Sequence, residues 1–462
     1  MWKRFAVLTV AVFVLALGLS GPAAAGNVDT FGIGAKATAL GGAFAAYADD
    51  PFAAYYNPAG LTQIDSATFS VGSQFVKPKL RVYGYEVKGT VIGDLGPIDF
   101  NDRSSTLVVP HAGFAMPISD RFSAGVAVYV PYGLDIKWND HPGMDNLGVY
   151  DSYHSWYMRE VVTPTIAYKL SDCLSLGVGV SIGKSKSGVD RIIFAPGTSL
   201  NNQNVKTDLE DDVNWSANVG LLYRPYDNLS FGLTYRGRTE TKFEGTTGLL
   251  NPTSSLTVID PSTGHPFTVA LSNTTVDAKM ELDHPEQIQF GIRFLPFEQL
   301  SLEADIVWTH WSIIDGYSVE FSQPFLNAPA LGPMNPAKTS EYFARNWNNT
   351  TSFRFGAEWQ ATDMITLRGS YFYDPSPIPD ETMDLQWPDA DKHTFALGLG
   401  LNFGNFSIDG VVQYLMVDSK RIIGGESETL NEAYASGGTH PKVSFSADGY
   451  LWSWGLTLNY KF

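Results

Sequence analysis

The sequence predicts an all-β protein, a transmembrane antiparallel β-barrel of about 14 strands with a small N-terminal hatch inside its lumen. Three observations predict it. The chain opens with an export signal. Its segments alternate apolar with small polar residues up to a C-terminal phenylalanine. The connections between those segments alternate between short and long.

Composition sets the outer limits. Charged residues are 17% of the 462, below the roughly 25% usual for globular domains. Mean hydropathy is −0.07, which excludes a bundle of apolar transmembrane helices. With 44% hydrophobic residues the chain is too apolar for disorder. A formal charge of −17 argues against a nucleic-acid partner. Cys173 is the single cysteine, so an intrachain disulfide and a multi-cysteine metal site are both excluded.

Residues 1–25 read as a secretory signal peptide. Lys3 and Arg4 precede an apolar run over 5–19, Ser20-Gly21-Pro22 breaks it, and Ala23-Ala24-Ala25 supplies small residues before a cleavage at Gly26. The run falls short of the ~20 residues a spanning helix needs.

The C-terminal strand shows the barrel pattern most clearly. Tyr450, Trp452, Trp454, Leu456, Leu458, Tyr460 and Phe462 share one face, while Ser453, Gly455, Thr457 and Asn459 fall on the other. A barrel turns such an apolar face to lipid, with aromatics at both interfaces and small polar residues in the lumen. The same phase returns at 174–183, 229–236 and 352–359. A soluble sandwich would not need so many one-sided apolar strands.

The strands are expected at 67–76, 104–117, 122–134, 155–170, 174–190, 213–225, 229–243, 276–295, 300–314, 348–361, 364–373, 391–403, 405–417 and 449–461. Short turns such as Ser119-Asp120, Thr362-Asp363 and Gly404-Asn405 belong in the periplasm. Long connections at 77–103, 135–154, 191–212, 244–275, 315–347, 374–390 and 418–448 belong outside. Both termini are then periplasmic. Residues 26–66 do not alternate and are rich in Ala and Gly, which suits a compact hatch, with a disordered periplasmic tail as the other reading; 67–462 form the barrel.

The hatch carries Asn57-Pro58-Ala59, strand three ends in Tyr132-Gly133-Leu134 before Asn139-Asp140, and Leu221-Leu222-Tyr223 leads to Leu233-Thr234-Tyr235-Arg236. Further on come Trp308-Thr309-His310-Trp311-Ser312, Tyr373-Asp374-Pro375-Ser376-Pro377 and Pro388-Asp389-Ala390-Asp391-Lys392. In this order, over essentially the whole mature chain, these strings resemble the FadL-type outer-membrane transporters of long-chain fatty acids and other hydrophobic compounds.

The resemblance implies passive uptake across the outer membrane of a Gram-negative bacterium. Cargo is captured at extracellular loops, held in an apolar lumen pocket and released through a lateral opening gated by the hatch. It implies that the 191–212 and 244–275 loops form the first capture groove. Phe194, Leu249, Leu250, Phe321, Phe325 and Leu326 are candidates for that collecting surface, with packing between loops as the other reading. The resemblance also places a ligand-contacting arginine at Arg191, where a guanidinium can grip a carboxylate; pairing with Asp190 or another loop carboxylate is the competing role. Relatives often carry Trp-Lys-Asp where this chain has Trp347-Asn348-Asn349, so a second carboxylate-binding cation is missing, with Arg345 close by.

Asn57, Pro58 and Ala59 are expected to anchor the hatch. Pro131 and Gly133 are expected to break strand three, because proline lacks a ladder donor and glycine favours bulges. The resemblance puts the wall opening at that glycine. Strand parity turns Arg236, Arg293, Arg354, Arg368, Glu303, Asp305 and Glu358 inward, as an ion-paired interior that holds the hatch.

No Ser/His/Asp set joins His154, His284, His310 or His393 to a nucleophile, so no enzyme is expected. No cofactor and no metal site are expected either. The expected partners are a hydrophobic small molecule, fatty acid or aromatic hydrocarbon, and outer-membrane lipid, with the barrel a monomer. A general diffusion porin is the alternative from another class.

Overall fold

The computed structural model describes residues 32–260 and 262–462. The signal peptide expected at 1–25, and residues 26–31 of the expected hatch, lie outside them.

Fourteen strands close the wall among the described residues. In chain order they are β1 (Thr68–Thr90), β3 (Leu107–Pro117), β4 (Phe122–Lys137), β5 (His154–Ser171), β6 (Leu174–Ile192), β7 (Asn204–Tyr226), β8 (Leu229–Arg236), β13 (Gln287–Phe297), β14 (Leu300–Thr309), β17 (Thr350–Gln360), β18 (Ile365–Asp374), β19 (Lys392–Asn402), β20 (Phe406–Ile422) and β21 (Lys442–Lys461). Each pairs antiparallel with the next in this order, and β21 pairs back onto β1 from Thr68↔Lys461 to Lys88↔Lys442. Trp452, Trp454, Leu456 and Leu458 are exposed on the outer face, whereas Leu451, Ser453 and Thr457 are buried inside, as their parity requires.

The extracellular connections are more ordered than the sequence suggests. The 77–103 stretch is a hairpin, because β1 runs on to Thr90 and turns into β2 (Gly93–Asn101). The expected strand at 229–243 stops at Arg236, and residues 242–249 leave the wall as β9 (Lys242–Leu249). The expected strand at 276–295 is likewise two strands, β12 (Thr275–Glu281) above the wall and β13 within it. Val276, Ala278 and Met280 keep the inward burial that the wall strands show, so period-2 alternation cannot separate the two strands. Pro285, which lacks an amide donor, marks the break. Residues 311–313 form a 3-10 turn after β14, where the sequence suggested more strand.

β9 and β12, with β15 (Gly316–Phe325) and β16 (Lys338–Ala344), continue the upper half of β7 as a sheet above the membrane. β10 (Ser255–Ile259) and β11 (Pro266–Ala270) form a separate hairpin. Under these elements lies a large apolar core that includes Tyr85, Trp138, Tyr157, Phe243, Trp347 and Trp387.

Inside the barrel, short helices at Ala35–Ala39 and Ala53–Tyr56 precede a 3-10 turn at Pro58–Gln63. Ala37, Phe44, Phe52, Tyr56 and Leu61 form a core of their own with wall residues Ala115, Tyr129 and Val161.

Candidate functional site

The seat of the N-terminal segment is built from missing side chains and buried charge. A Cβ on Gly177 would lie 2.2 Å from the Pro58 carbonyl carbon, and one on Gly220 would lie 2.1 Å from Asn57 Oδ1. Only glycine lets the segment approach the wall this closely. Asn57 then joins the two. Its Nδ2 donates to the Ala45 carbonyl (2.6 Å) and to the Leu221 carbonyl of β7 (3.0 Å), while Oδ1 accepts from the Ala59 amide (3.1 Å). Pro58 follows as the first residue of the 3-10 turn, where its lost donor costs nothing.

Of the inward charges, all but Arg354 are engaged at or beside the same contact. Asp305 accepts from the Phe44 and Ala45 amides (3.1 and 3.0 Å). Glu358 accepts from the Tyr47 hydroxyl (2.5 Å) and from Arg368 (2.6 Å), and Arg368 also meets Asp409 at 2.6 Å. Arg293 pairs with Glu303 (3.3 Å) and stacks on Tyr47, and Arg236 stacks on Tyr55.

A second place of interest is a pocket in the extracellular half. Leu134 of β4, Leu209 of β7, Met280 of β12, Val319 of β15, Phe343 of β16 and Trp387 wall it with apolar surface. Arg191 and Glu341 are its charged pair, joined through Arg191 Nη2. Burial alone would raise the Glu341 carboxyl; Arg191 and then Lys338 bring it down to about 2. Asp190 is not the arginine's partner. It is held by His154 Nδ1 (3.0 Å), whose Nε2 meets Asp135 at 2.9 Å, so one imidazole ties the tops of β4, β5 and β6 and fixes the residue before Arg191.

Arg345 lies behind this pocket. Its Nη1 meets Asp384 at 2.5 Å and its Nη2 donates to the Tyr317 hydroxyl at 2.9 Å; Tyr317 lines the pocket, while the arginine itself is 1% exposed. Asp151 is close to both arginines and to Asp384, and burial followed by the Asp384 charge raises its carboxyl. Phe194 packs edge-on against Tyr150 at 5.0 Å. Leu249, Phe325 and Leu326 are buried in a loop core with Leu200, Leu256 and Leu331. Leu250 is the one of these candidates that is largely exposed, at 50%. The loops fold on their own apolar residues, so packing between loops accounts for most of the surface expected to collect cargo.

The third feature is a gap in the wall. β3 pairs β4 only from Ala112↔Val128 to Pro117↔Ser123. Above that level, Leu107–His111 keep their β1 partners and have no β4 partner among the described residues. On its other side β4 carries a bulge: Tyr129 faces Val161 and Tyr132 faces Arg159, leaving Val130 and Pro131 opposite Glu160 alone. The irregularity therefore centres on Val130 and Pro131. Gly133, expected at the kink, pairs in register with Met158. The gap spans five residues of β3, roughly 16 Å of strand. Val109 and Val130 line its inner side in a cluster with Val76, Leu107, Leu415 and Leu451. Val76, Leu415 and Leu451 also line a cavity that rests on Gly41, Gly42 and Tyr56 of the N-terminal segment.

A sequence profile described as "Outer membrane protein transport protein (OMPP1/FadL/TodX)" matches residues 14–462. The chain belongs to this family. It is 23% identical over 444 residues to the long-chain fatty acid transport protein of Escherichia coli K12, covering 90% of each chain. It is 22% identical over 489 residues to outer membrane protein P1 of Haemophilus influenzae, covering 97% of this chain and 98% of the other. Its fold is that of a Pseudomonas aeruginosa FadL homologue, with a TM-score of 0.74 at 20% identity over 96% of this chain and all of the other. The toluene transporter TodX of Pseudomonas putida gives a TM-score of 0.64 at 16% identity, over 95% and 100%. This FadL-family protein is therefore a Gram-negative outer-membrane barrel that transports hydrophobic compounds and is not an enzyme.

Several parts of the site escaped sequence reasoning. Glu341 and Asp384 reach their arginines across long loops, and nothing local in the sequence joins them. Pro110 did leave a signal, as a proline inside an otherwise regular strand.

Proposed function

We propose that this family member carries long-chain fatty acids. Arg191 supports the reading. It lines a pocket with apolar walls and spends only Nη2 on Glu341, so among the described residues its remaining side-chain donors have no hydrogen-bond partner. That combination suits a fatty acid: its carboxylate would take the open edge of the guanidinium, and Leu209, Met280 and Trp387 would part for its chain, since the cavity as it stands is about 30 Å³. In this reading the segment 26–66 is the hatch, the chain works as a monomer, and the acid leaves through the β3–β4 gap without crossing a water-filled lumen. Each buried methylene contributes about 0.8 kcal/mol, which is enough to drive capture without an energy source.

Arg191→Ala weakens binding of a fatty acid by roughly tenfold or more, the worth of one charge-assisted hydrogen bond. A neutral hydrocarbon of the same length is affected far less. Fluorescent-ligand displacement on purified barrel measures both, and equal losses reject the acid reading.

A second reading has one observation in its favour. Glu341 already neutralises Arg191, which suits an uncharged aromatic cargo. Under that reading Glu341→Gln leaves fatty-acid affinity unchanged, whereas removing a competing carboxylate from an acid site raises it.

A further inference from the structure

The outer face of β1 changes character partway up. Phe69, Val71 and Phe75 face lipid, and the next residues on the same face are Lys77, Lys79 and Arg81. Their partners on β21 are Trp452, Tyr450 and Asp448. From Tyr460, which pairs with Phe69, up to Tyr450 is ten residues of strand. At about 3.4 Å per residue and a tilt near 40°, that is roughly 25 Å, the height of an outer-membrane apolar band. The three cations therefore stand at the extracellular end of the band, level with the headgroups of the outer leaflet.

The segment after β2 adds a fourth cation. Asp102 accepts from the Leu80 amide (2.7 Å) and the Ser104 amide (2.9 Å), and the Arg103 amide donates to the Lys137 carbonyl (2.6 Å). These bonds hold Arg103 beside Lys77, Lys79 and Arg81 around one open hollow. Three acids share the hollow. Asp99 is turned to the Gly84 amide (2.7 Å), Asp102 is buried and occupied as described, and Asp145 is exposed. Arg81 is paired with Asp448 (3.1 Å), and Lys77 donates to the Ser104 carbonyl (2.5 Å). The exposed side chains of Lys79 and Arg103 make no hydrogen bond or ion pair among the described residues.

We propose that this hollow binds a phosphorylated glycolipid of the outer leaflet, with its phosphates on Lys77, Lys79 and Arg103 and its acyl chains down the outer wall over the stacked Phe75 and Trp454 rings, 5.8 Å apart. Charge and height together select that occupant. In a chain of net charge −17, these cations collect where an anionic headgroup and an apolar wall meet. The cargo pocket is on the other side of the wall. A soluble phosphate gains nothing from the apolar surface below the cations, whereas a lipid engages both.

Native mass spectrometry of the full barrel in mild detergent tests this, titrated with diphosphorylated lipid A and with the same lipid after removal of its phosphates. Wild type binds the phosphorylated form at least about tenfold more tightly. The Lys77→Gln/Lys79→Gln/Arg103→Gln variant loses that preference, while Lys184→Gln/Lys186→Gln, which alters a basic pair already matched by Glu210 and Asp212, keeps it. Heat-modifiable migration checks that each variant is folded. The two-lipid comparison on wild type needs no variant. Equal binding of the two lipids overturns the proposal, as does unchanged preference in the triple variant. Displacement of the lipid by millimolar inorganic phosphate overturns it too, by making the hollow a small-anion site.

Discussion

Closing the wall between β3 and β4 stops uptake and leaves capture intact. Deleting Pro131 removes the extra residue of the bulge, and Pro110→Val returns a backbone donor to the opposite edge. Together they allow the pairing that now ends at Ala112↔Val128 to continue up to Leu107. Cargo would then have to leave through water. Exposing even two methylenes costs about 1.6 kcal/mol, which exceeds a tenfold change in rate. Uptake into cells is therefore expected to fall more than about tenfold, while affinity at the Arg191 pocket changes far less, since Leu134 is its one lining residue on β4. Amide exchange over residues 107–111 shows whether the wall has closed. Full uptake with those amides protected would exclude the lateral route and favour passage past the N-terminal segment.

Loss of Arg345 is expected to loosen the extracellular cap. Its guanidinium holds Asp384 at 2.5 Å, the Tyr317 hydroxyl at 2.9 Å, and its own carbonyl accepts from Thr382, so the 315–347 and 374–390 connections meet on one buried residue. Arg345→Met leaves the Asp384 carboxylate buried without its cation, a change worth about 3–5 kcal/mol. Local opening of the 374–391 segment should rise by two orders of magnitude or more, read as amide exchange or protease cleavage there, while the barrel remains heat-modifiable. Arg345→Met/Asp384→Asn removes both charges while the amide oxygen can still accept from the Gln386 and Trp387 amides, and should recover much of the protection. If the single variant exchanges at the wild-type rate, Arg345 does not hold the cap, and a role facing cargo becomes the better account.

What the sequence made legible follows from its periodicity. The wall strands sit between lipid and a polar lumen, so each one had to write its two faces into alternate residues, and the Trp452-to-Phe462 face does so plainly. Above the membrane the same alternation means something else. Val276, Ala278 and Met280 point into a core of loops, not into the barrel, and no local feature says so. The hatch seat was half visible. Asn57 and Pro58 stand out as a motif, but Gly177 and Gly220 look like the other small lumen residues until the chain is seen resting on them. The arginines were found and their acids were not, because Glu341 and Asp384 lie 150 and 39 residues away from their partners.

Cargo that leaves sideways passes between β3 and β4. A fatty acid that carries a photoreactive group near the end of its chain reports that route. Barrels in outer-membrane vesicles are loaded at low temperature, warmed, and irradiated at intervals, and crosslinked peptides are identified by mass spectrometry. The account predicts early crosslinks at Leu209 and Trp387, then crosslinks at Val109 and Val130, before label appears in free lipid. Crosslinks that pass instead to the periplasmic cleft around Arg368 and Asp409, with none at Val109 or Val130, would contradict it.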